Sequence, residues 1–147
     1  MKRAKLTDNL GMLLRSAEAA GVSGVVLAAG TVDPFGRRVV RGSRGAVFTV
    51  PISIQRDPAG VIEEARALGL QAVAASANAD ALYTDIDYTR PTLLAVGNEH
   101  TGVSDAVREV SDCVVRIPML GRINSLNIAA AASVLLYEAV RQRASGS

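Results

Sequence analysis

The sequence predicts an α/β fold with a mainly parallel sheet flanked by helices, and three observations carry that expectation. Gly24-Val25-Val26-Leu27-Ala28 and Thr92-Leu93-Leu94-Ala95-Val96 are short, continuous apolar runs of the kind buried in a parallel sheet. Stretches with helical start and stop signals separate such runs. The chain has 147 residues, 49% hydrophobic and 20% charged, the composition of one ordinary folded domain. A domain of that length buries on the order of 70% of its unfolded surface and needs no staple.

In chain order, Asp8 or Asn9 caps a helix running through Ala20, with Leu10, Leu13, Leu14 and Ala17 on one stripe and Gly21 as its stop. The strand Gly24 to Ala28 follows. A Gly- and Arg-rich loop from Ala29 to Gly45 holds one short helical turn near Val39. Val47 to Ile54 is a second strand, whose Pro51 marks a sheet edge or a bulge. Asp57-Pro58 opens a helix that Gly69 ends. Leu70 to Ala75 is a strand, and a polar loop with Tyr83 and Tyr88 leads to the strand Thr92 to Val96. Ser104 caps a short helix ending near Val110, Cys113 to Ile117 is another strand, and Ser125 to about Arg143 is the longest helix.

Composition excludes several classes of function. Cys113 is the single cysteine and His100 the single histidine, so neither a disulfide framework nor a zinc or diiron site can be assembled, and no metal is expected. The charge-free stretch between Arg122 and Glu138 is broken by Asn124, Ser125, Asn127 and Ser133 and falls short of a membrane span. No apolar signal core follows the charged first residues, which points to a cytoplasmic protein without a membrane partner.

The net charge is +2, but residues 1–60 hold 9 of the 16 Lys and Arg against 4 of the 14 acids. Arg37, Arg38, Arg41 and Arg44 form the densest basic run, with no acid between Asp33 and Asp57. Such a run is either a solvated face or a polyanion contact. Aromatic residues make up only 3%, so RNA, if bound, is held through phosphates rather than stacked bases.

Ligands of open parallel sheets bind outside the carboxyl ends of strands, which directs attention to the segments after Leu27, Val96 and Ile117. Gly97-Asn98-Glu99-His100-Thr101-Gly102-Val103-Ser104 and Pro118-Met119-Leu120-Gly121-Arg122-Ile123-Asn124-Ser125-Leu126-Asn127 are both loops feeding a helix. Neither matches a dinucleotide or Walker A phosphate loop.

Asn9-Leu10-Gly11 with Arg15 and Ala17, then Gly97-Asn98-Glu99 with Gly102 and Ser104, then Ile117-Pro118-Met119 with Ser125-Leu126-Asn127 resemble three signature motifs. They are those of the SpoU (TrmH) family of S-adenosylmethionine-dependent RNA ribose 2′-O-methyltransferases, in the SPOUT superfamily. The resemblance covers about Asn9 to Arg143. Asp85 to Thr92 and Leu136 to Arg143 are also similar to the tRNA-guanosine branch, whereas Arg41-Gly42-Ser43-Arg44-Gly45-Ala46-Val47-Phe48 resembles the rRNA-modifying branches. The substrate is thus tRNA or rRNA.

The resemblance implies a deep trefoil knot in the C-terminal segment, S-adenosyl-L-methionine as cofactor, and a homodimer whose two subunits complete each active site. It implies catalytic roles for Arg15, Asn9, Glu99, Ser125 and Asn127. It implies cofactor contacts at Leu94, Gly97, Ile117, Met119, Ser125, Leu126 and Asn127, largely through backbone groups. Arg15, with Arg37, Arg38, Arg41 and Arg44, is the implied RNA-binding set. Each has an ordinary alternative: Asn9, Ser125 and Asn127 as helix caps, Arg15 as a solvated arginine, Ile117 and Leu126 as core.

Methyl transfer to a ribose hydroxyl requires alignment of that hydroxyl and help with loss of its proton. A guanidinium does not readily deprotonate, so Arg15 is read as binding phosphate and stabilising the developing alkoxide, with a neighbouring group or the phosphate taking the proton. His100 is a loop variant rather than a base. Family members carry an apolar strand before the first motif, and many carry a separate RNA-binding domain; here Met1 to Asp8 precede it, so residues 1–147 are read as the catalytic domain alone. A noncatalytic RNA-binding or assembly module retaining the fold is the principal alternative, and a small-molecule-binding α/β domain is a third.

Overall fold

The computed structural model describes residues 2–30, 32–97 and 102–146, with side chains from residue 9 onward. The chain divides into two compact units, Met1–Arg56 and Asp57–Ser147. The first contains α1 (Lys2–Ala19), β1 (Val25–Ala28), α2 (Arg37–Gly42), a 3-10 turn (Ala46–Phe48) and β2 (Ile52–Gln55). β1 and β2 pair in parallel, with Val25 opposite Ile52 and Leu27 opposite Ile54. Leu14, Val39 and Val47 form its core, and Leu10, Val25 and Ile52 pack against them.

Two local expectations are corrected in this unit. α1 begins at Lys2, so Asp8 and Asn9 lie inside the helix rather than capping it. The residues before them, Lys2-Arg3-Ala4-Lys5-Leu6, are strong helix formers that carry the helix past the cap signal. The second strand starts at Ile52 rather than Val47, because Pro51 has no amide hydrogen to contribute to a ladder. Its carbonyl still accepts from Val25 N at 2.9 Å. The stop at Gly21 is as read: φ is +74°, and Val22 N and Gly21 N donate to Ala17 O and Glu18 O, closing a Schellman motif.

The second unit contains α3 (Pro58–Ala67), β3 (Gln71–Ala75), β4 (Ala81–Leu82), β5 (Thr92–Ala95), α4 (Asp105–Val110), β6 (Cys113–Arg116) and α5 (Ile128–Ser145). Its four strands are all parallel, in the order β4-β6-β3-β5. Alternation along the strands sorts the side chains into two layers. Ala72, Ala74, Leu93, Ala95 and Val114 pack with Ile62 of α3 and Val107 of α4. Val73, Leu94 and Val115 pack with Tyr88 and with Leu135 of α5. Both faces of β3 are therefore covered, which is why its sequence is apolar from Ala72 to Ala75.

Asp57 Oδ1 caps α3 by accepting from Gly60 N at 3.1 Å, and Gly69 at φ +94° ends it. The segment read as a polar loop contains β4 and a 3-10 turn at Tyr83–Asp85. Tyr88 is fully buried, and its hydroxyl donates to Tyr83 O at 2.7 Å. Burial pushes that phenol well above the ordinary tyrosine range. α5 is tied across this segment: Tyr88 N donates to Gln142 Oε1 at 2.7 Å, Gln142 Nε2 to Ile86 O at 2.9 Å, and Arg143 Nε to Tyr88 O at 2.9 Å. α5 starts at Ile128, three residues later than read, because Asn127 rather than Ser125 supplies the cap. Among the described residues, no helix is long and apolar enough to cross a membrane.

Candidate functional site

Because every strand of the second unit runs the same way, the loops after β3, β5 and β6 leave one edge of its sheet. A cleft of about 400 Å3 opens there. Ala77 and Asn78 line it from the loop after β3, Arg116 from the last position of β6, and Ile117, Met119, Asn124 and Ser125 from the loop that follows. The β3 loop is fixed by Ser76, whose Oγ accepts from Arg108 Nη2 at 3.0 Å and from Asn78 N at 3.4 Å, and whose N donates to Val115 O at 2.9 Å.

The loop after β5 is pinched at its base. A β-carbon on Gly97 would overlap the carbonyl group of Gly102 and stand 2.6 Å from Val103 N. Gly102 itself has φ +66°, in the left-handed region that glycine enters without cost. Glu99 and His100, between these glycines, lie outside the described residues.

Of the residues singled out from the sequence, the structure brings Ile117, Met119 and Ser125 together on the cleft wall. Leu94 lies in β5, where it packs with the core cluster of Val73, Tyr88, Val115 and Leu135. Asn127 caps α5, its Oδ1 accepting from Ala129 N at 2.8 Å and Ala130 N at 3.4 Å. Leu126, partly buried, stands between Ser125 and that cap. Ala77, Asn78, Arg116 and Asn124 were not foreseen. The carboxyl-end rule applies to β3 as much as to its neighbours, and would have pointed to Ala77 and Asn78.

Among the described residues, Arg116 is the one formally charged residue on the cleft wall, and it makes no ion pair with any of them. No group of three or more His, Cys, Asp or Glu is placed to hold a metal ion among the described residues.

In the first unit, Asn9 is buried in α1 and Arg15 is exposed on it. α1 and α2 cross at two glycines: a β-carbon on Gly11 would lie 3.0 Å from the Gly42 carbonyl carbon and 3.1 Å from Ser43 N. Arg15, one turn beyond Gly11, shares its side of α1. Val39 is fully buried while Arg37, Arg38 and Arg41 on α2 are exposed. Arg44 follows with φ +53°, a left-handed conformation that costs a non-glycine residue on the order of 1 kcal/mol.

The model of the SpoU rRNA Methylase family matches residues 2–137. The 23S rRNA (uridine(2479)-2′-O)-methyltransferase of Streptomyces viridochromogenes is 42% identical over 143 residues, which cover 94% of this chain and 50% of that protein. The 23S rRNA (guanosine(2553)-2′-O)-methyltransferase of Bacillus subtilis (strain 168) is 36% identical over 129 residues, covering 88% of this chain and 52% of that protein. The crystal structure of the SpoU methyltransferase AviRb from Streptomyces viridochromogenes in complex with the cofactor AdoMet superposes with a TM-score of 0.87 at 41% identity, over 95% of this chain and 57% of that one. The chain spans about half the length of the curated relatives it matches.

Proposed function

The chain belongs to the SpoU rRNA methylase family, and from that premise we propose that it transfers the methyl group of S-adenosyl-L-methionine to a ribose 2′-hydroxyl of tRNA or rRNA, acting as a cytoplasmic homodimer without a metal. Residues 1–147 form one methyltransferase domain in this reading. The observation that carries it is the cleft at the strand ends, where Ile117, Met119 and Ser125 meet beside a loop pinched at Gly97 and Gly102.

The residues present fit such a cofactor. The volume of about 400 Å3 falls within the range of small-molecule sites, about 300–1,000 Å3. Ile117, Met119 and Ser125 would hold the cofactor from the cleft wall, with backbone contributions from Leu94, Gly97, Leu126 and Asn127. When bound, the cofactor supplies a methyl group already activated by a sulfonium charge.

The remaining work belongs to the chain. Arg15 binds the target phosphate and stabilises the alkoxide developing on the hydroxyl, while the phosphate or a neighbouring group takes its proton. Asn9 supports Arg15 from within α1, and Glu99 orders its loop. Ser125 and Asn127 hydrogen-bond cofactor or hydroxyl. Arg37, Arg38, Arg41 and Arg44 hold RNA through phosphates, which positions a substrate without reading its sequence. A deep trefoil knot in the C-terminal segment is part of this reading, supported by the superposition on the SpoU methyltransferase AviRb. Leu120 and Ile123 are 97% and 75% exposed in the single chain, and Tyr137 on α5 is 47% exposed, which supports burial against a second subunit.

Calorimetric titration with S-adenosylhomocysteine, run beside sedimentation, tests this reading. A dimer that binds one molecule per chain is the expected result. A folded monomer that takes up none at millimolar concentration would overturn it.

A further inference from the structure

We infer that Arg116 receives the amino-acid carboxylate of the cofactor and thereby sets the cleft's preference for an adenosyl compound that carries one. The inference rests on the methyltransferase reading and deepens it. Arg116 closes β6 at its carboxyl end, directly before Ile117, and lines the same cleft as Ile117, Met119 and Ser125. The other described residues that line it, Ala77, Asn78 and Asn124, are uncharged, so among the described residues the cleft has a single formal charge and it is positive.

Among the described residues no carboxylate pairs with that guanidinium. A guanidinium stays protonated at any pH at which the protein is folded. S-adenosylmethionine brings two cationic groups, its sulfonium and its ammonium, and one anionic group, its carboxylate. Either cation placed against Arg116 in a partly desolvated cleft would be repelled, whereas the carboxylate matches the guanidinium fork with two parallel hydrogen bonds. Charge therefore orients the ligand: its carboxylate end lies toward Arg116. An RNA phosphate is the other oxyanion such a residue accepts, and the experiment separates the two.

The wild type, Arg116→Gln and Arg116→Lys are titrated calorimetrically with S-adenosylhomocysteine and with 5′-methylthioadenosine, which keeps the adenosyl thioether and lacks the amino-acid part. Arg116→Gln is expected to weaken S-adenosylhomocysteine by about tenfold or more, the loss of a charge-assisted pair, and to leave methylthioadenosine within twofold of wild type. Arg116→Lys keeps the charge without the fork and should recover part of the loss; it also guards against a folding defect in the glutamine variant. Equal weakening of both compounds, or no change in either, would overturn the assignment. So would a loss of RNA affinity in Arg116→Gln with S-adenosylhomocysteine unaffected, which would give Arg116 to a phosphate. A wild type that binds neither compound would overturn the methyltransferase reading as well; one that binds both, with Arg116→Gln unchanged, would overturn only this inference.

Discussion

Gly97 and Gly102 lie backbone against backbone, so close that a β-carbon on the first would overlap the carbonyl group of the second. Both contacts are to main-chain atoms, which cannot rotate away as a side chain can. The entry and exit of the loop that carries Glu99 are thereby fixed to each other, and the two glycines of the motif have a shared geometric reason. They differ in what replacement would cost.

Gly97→Ala must force the loop open, and overpacking of this kind costs about 1–3 kcal/mol. It is expected to weaken S-adenosylhomocysteine at least tenfold in a titration while the protein still folds. Gly102→Ala meets nothing closer than Ala75 O at 3.8 Å and suffers only the left-handed φ of +66°, about 1 kcal/mol. The reverse order of the two effects would contradict the geometry.

The crossing of α1 and α2 makes a similar asymmetric prediction. A β-carbon on Gly11 stands 3.0–3.1 Å from three backbone atoms of Gly42 and Ser43, whereas one on Gly42 stands 3.6 Å from Gly11 Cα, an ordinary contact. Gly11→Ala is expected to lose about 1 kcal/mol in urea unfolding even after its gain in helix propensity, and Gly42→Ala to be neutral or stabilising. Equal stabilities would show that the two helices have room to part.

Asn127 combines a structural duty with an assigned one, and two substitutions separate them. Asn127→Ala removes the cap that accepts from Ala129 N and Ala130 N, at about 1 kcal/mol of stability. Asn127→Asp keeps an accepting oxygen at the cap and loses the amide donor. Wild-type melting with weakened S-adenosylhomocysteine binding is expected of the aspartate variant; wild-type binding would reduce Asn127 to a cap.

Glu138 is buried on α5, and its carboxylate accepts from Arg141 Nη2 at 2.6 Å and Gln142 Nε2 at 3.0 Å. Those hydrogen bonds, from Arg141 first, hold its carboxyl below the usual glutamate range. A lowered pKa in the folded state gives stability that is present above the unfolded value of 4.5 and is lost as pH falls through the folded value. Glu138→Gln should therefore melt below the wild type at pH 7, with the gap narrowing as the medium is taken below pH 4.5. A gap that stays constant with pH would contradict the pairing.

Most of the fold was legible because its signals are local. Asp57-Pro58 and Gly69 bracket α3, Ser104 opens α4, and the unbroken apolar strands announce a sheet covered on both faces. Boundaries failed where one local signal met another: the helix-forming run before Asn9 overrode its cap, and Pro51 delayed β2. β4 is only two residues long, and its existence depends on pairing with Val115 and Arg116, far along the chain. Tyr88 reads as a polar-loop tyrosine in sequence, and it is buried by packing with Val73, Val115 and Leu135, residues from distant parts of the chain.

The site was legible to the extent that motif residues are contiguous. Ile117, Met119 and Ser125 belong to one loop and arrive together in the cleft. Asn78 and Arg116 reach the same cleft from β3 and β6, neighbours in the sheet that lie about forty residues apart in the chain, and no spacing rule links them. Ser76 and Arg108 shape that wall through a hydrogen bond between side chains 32 positions apart.

The most direct measurement is transfer of a labelled methyl group from S-adenosylmethionine to unmodified rRNA and tRNA, followed by complete digestion to nucleosides, for the wild type and Arg15→Ala. The account predicts label in 2′-O-methylated nucleosides, reduced by about 10²-fold or more in Arg15→Ala, with S-adenosylhomocysteine binding retained in the variant. Label recovered on a base, or ribose methylation that survives the loss of Arg15, would contradict it.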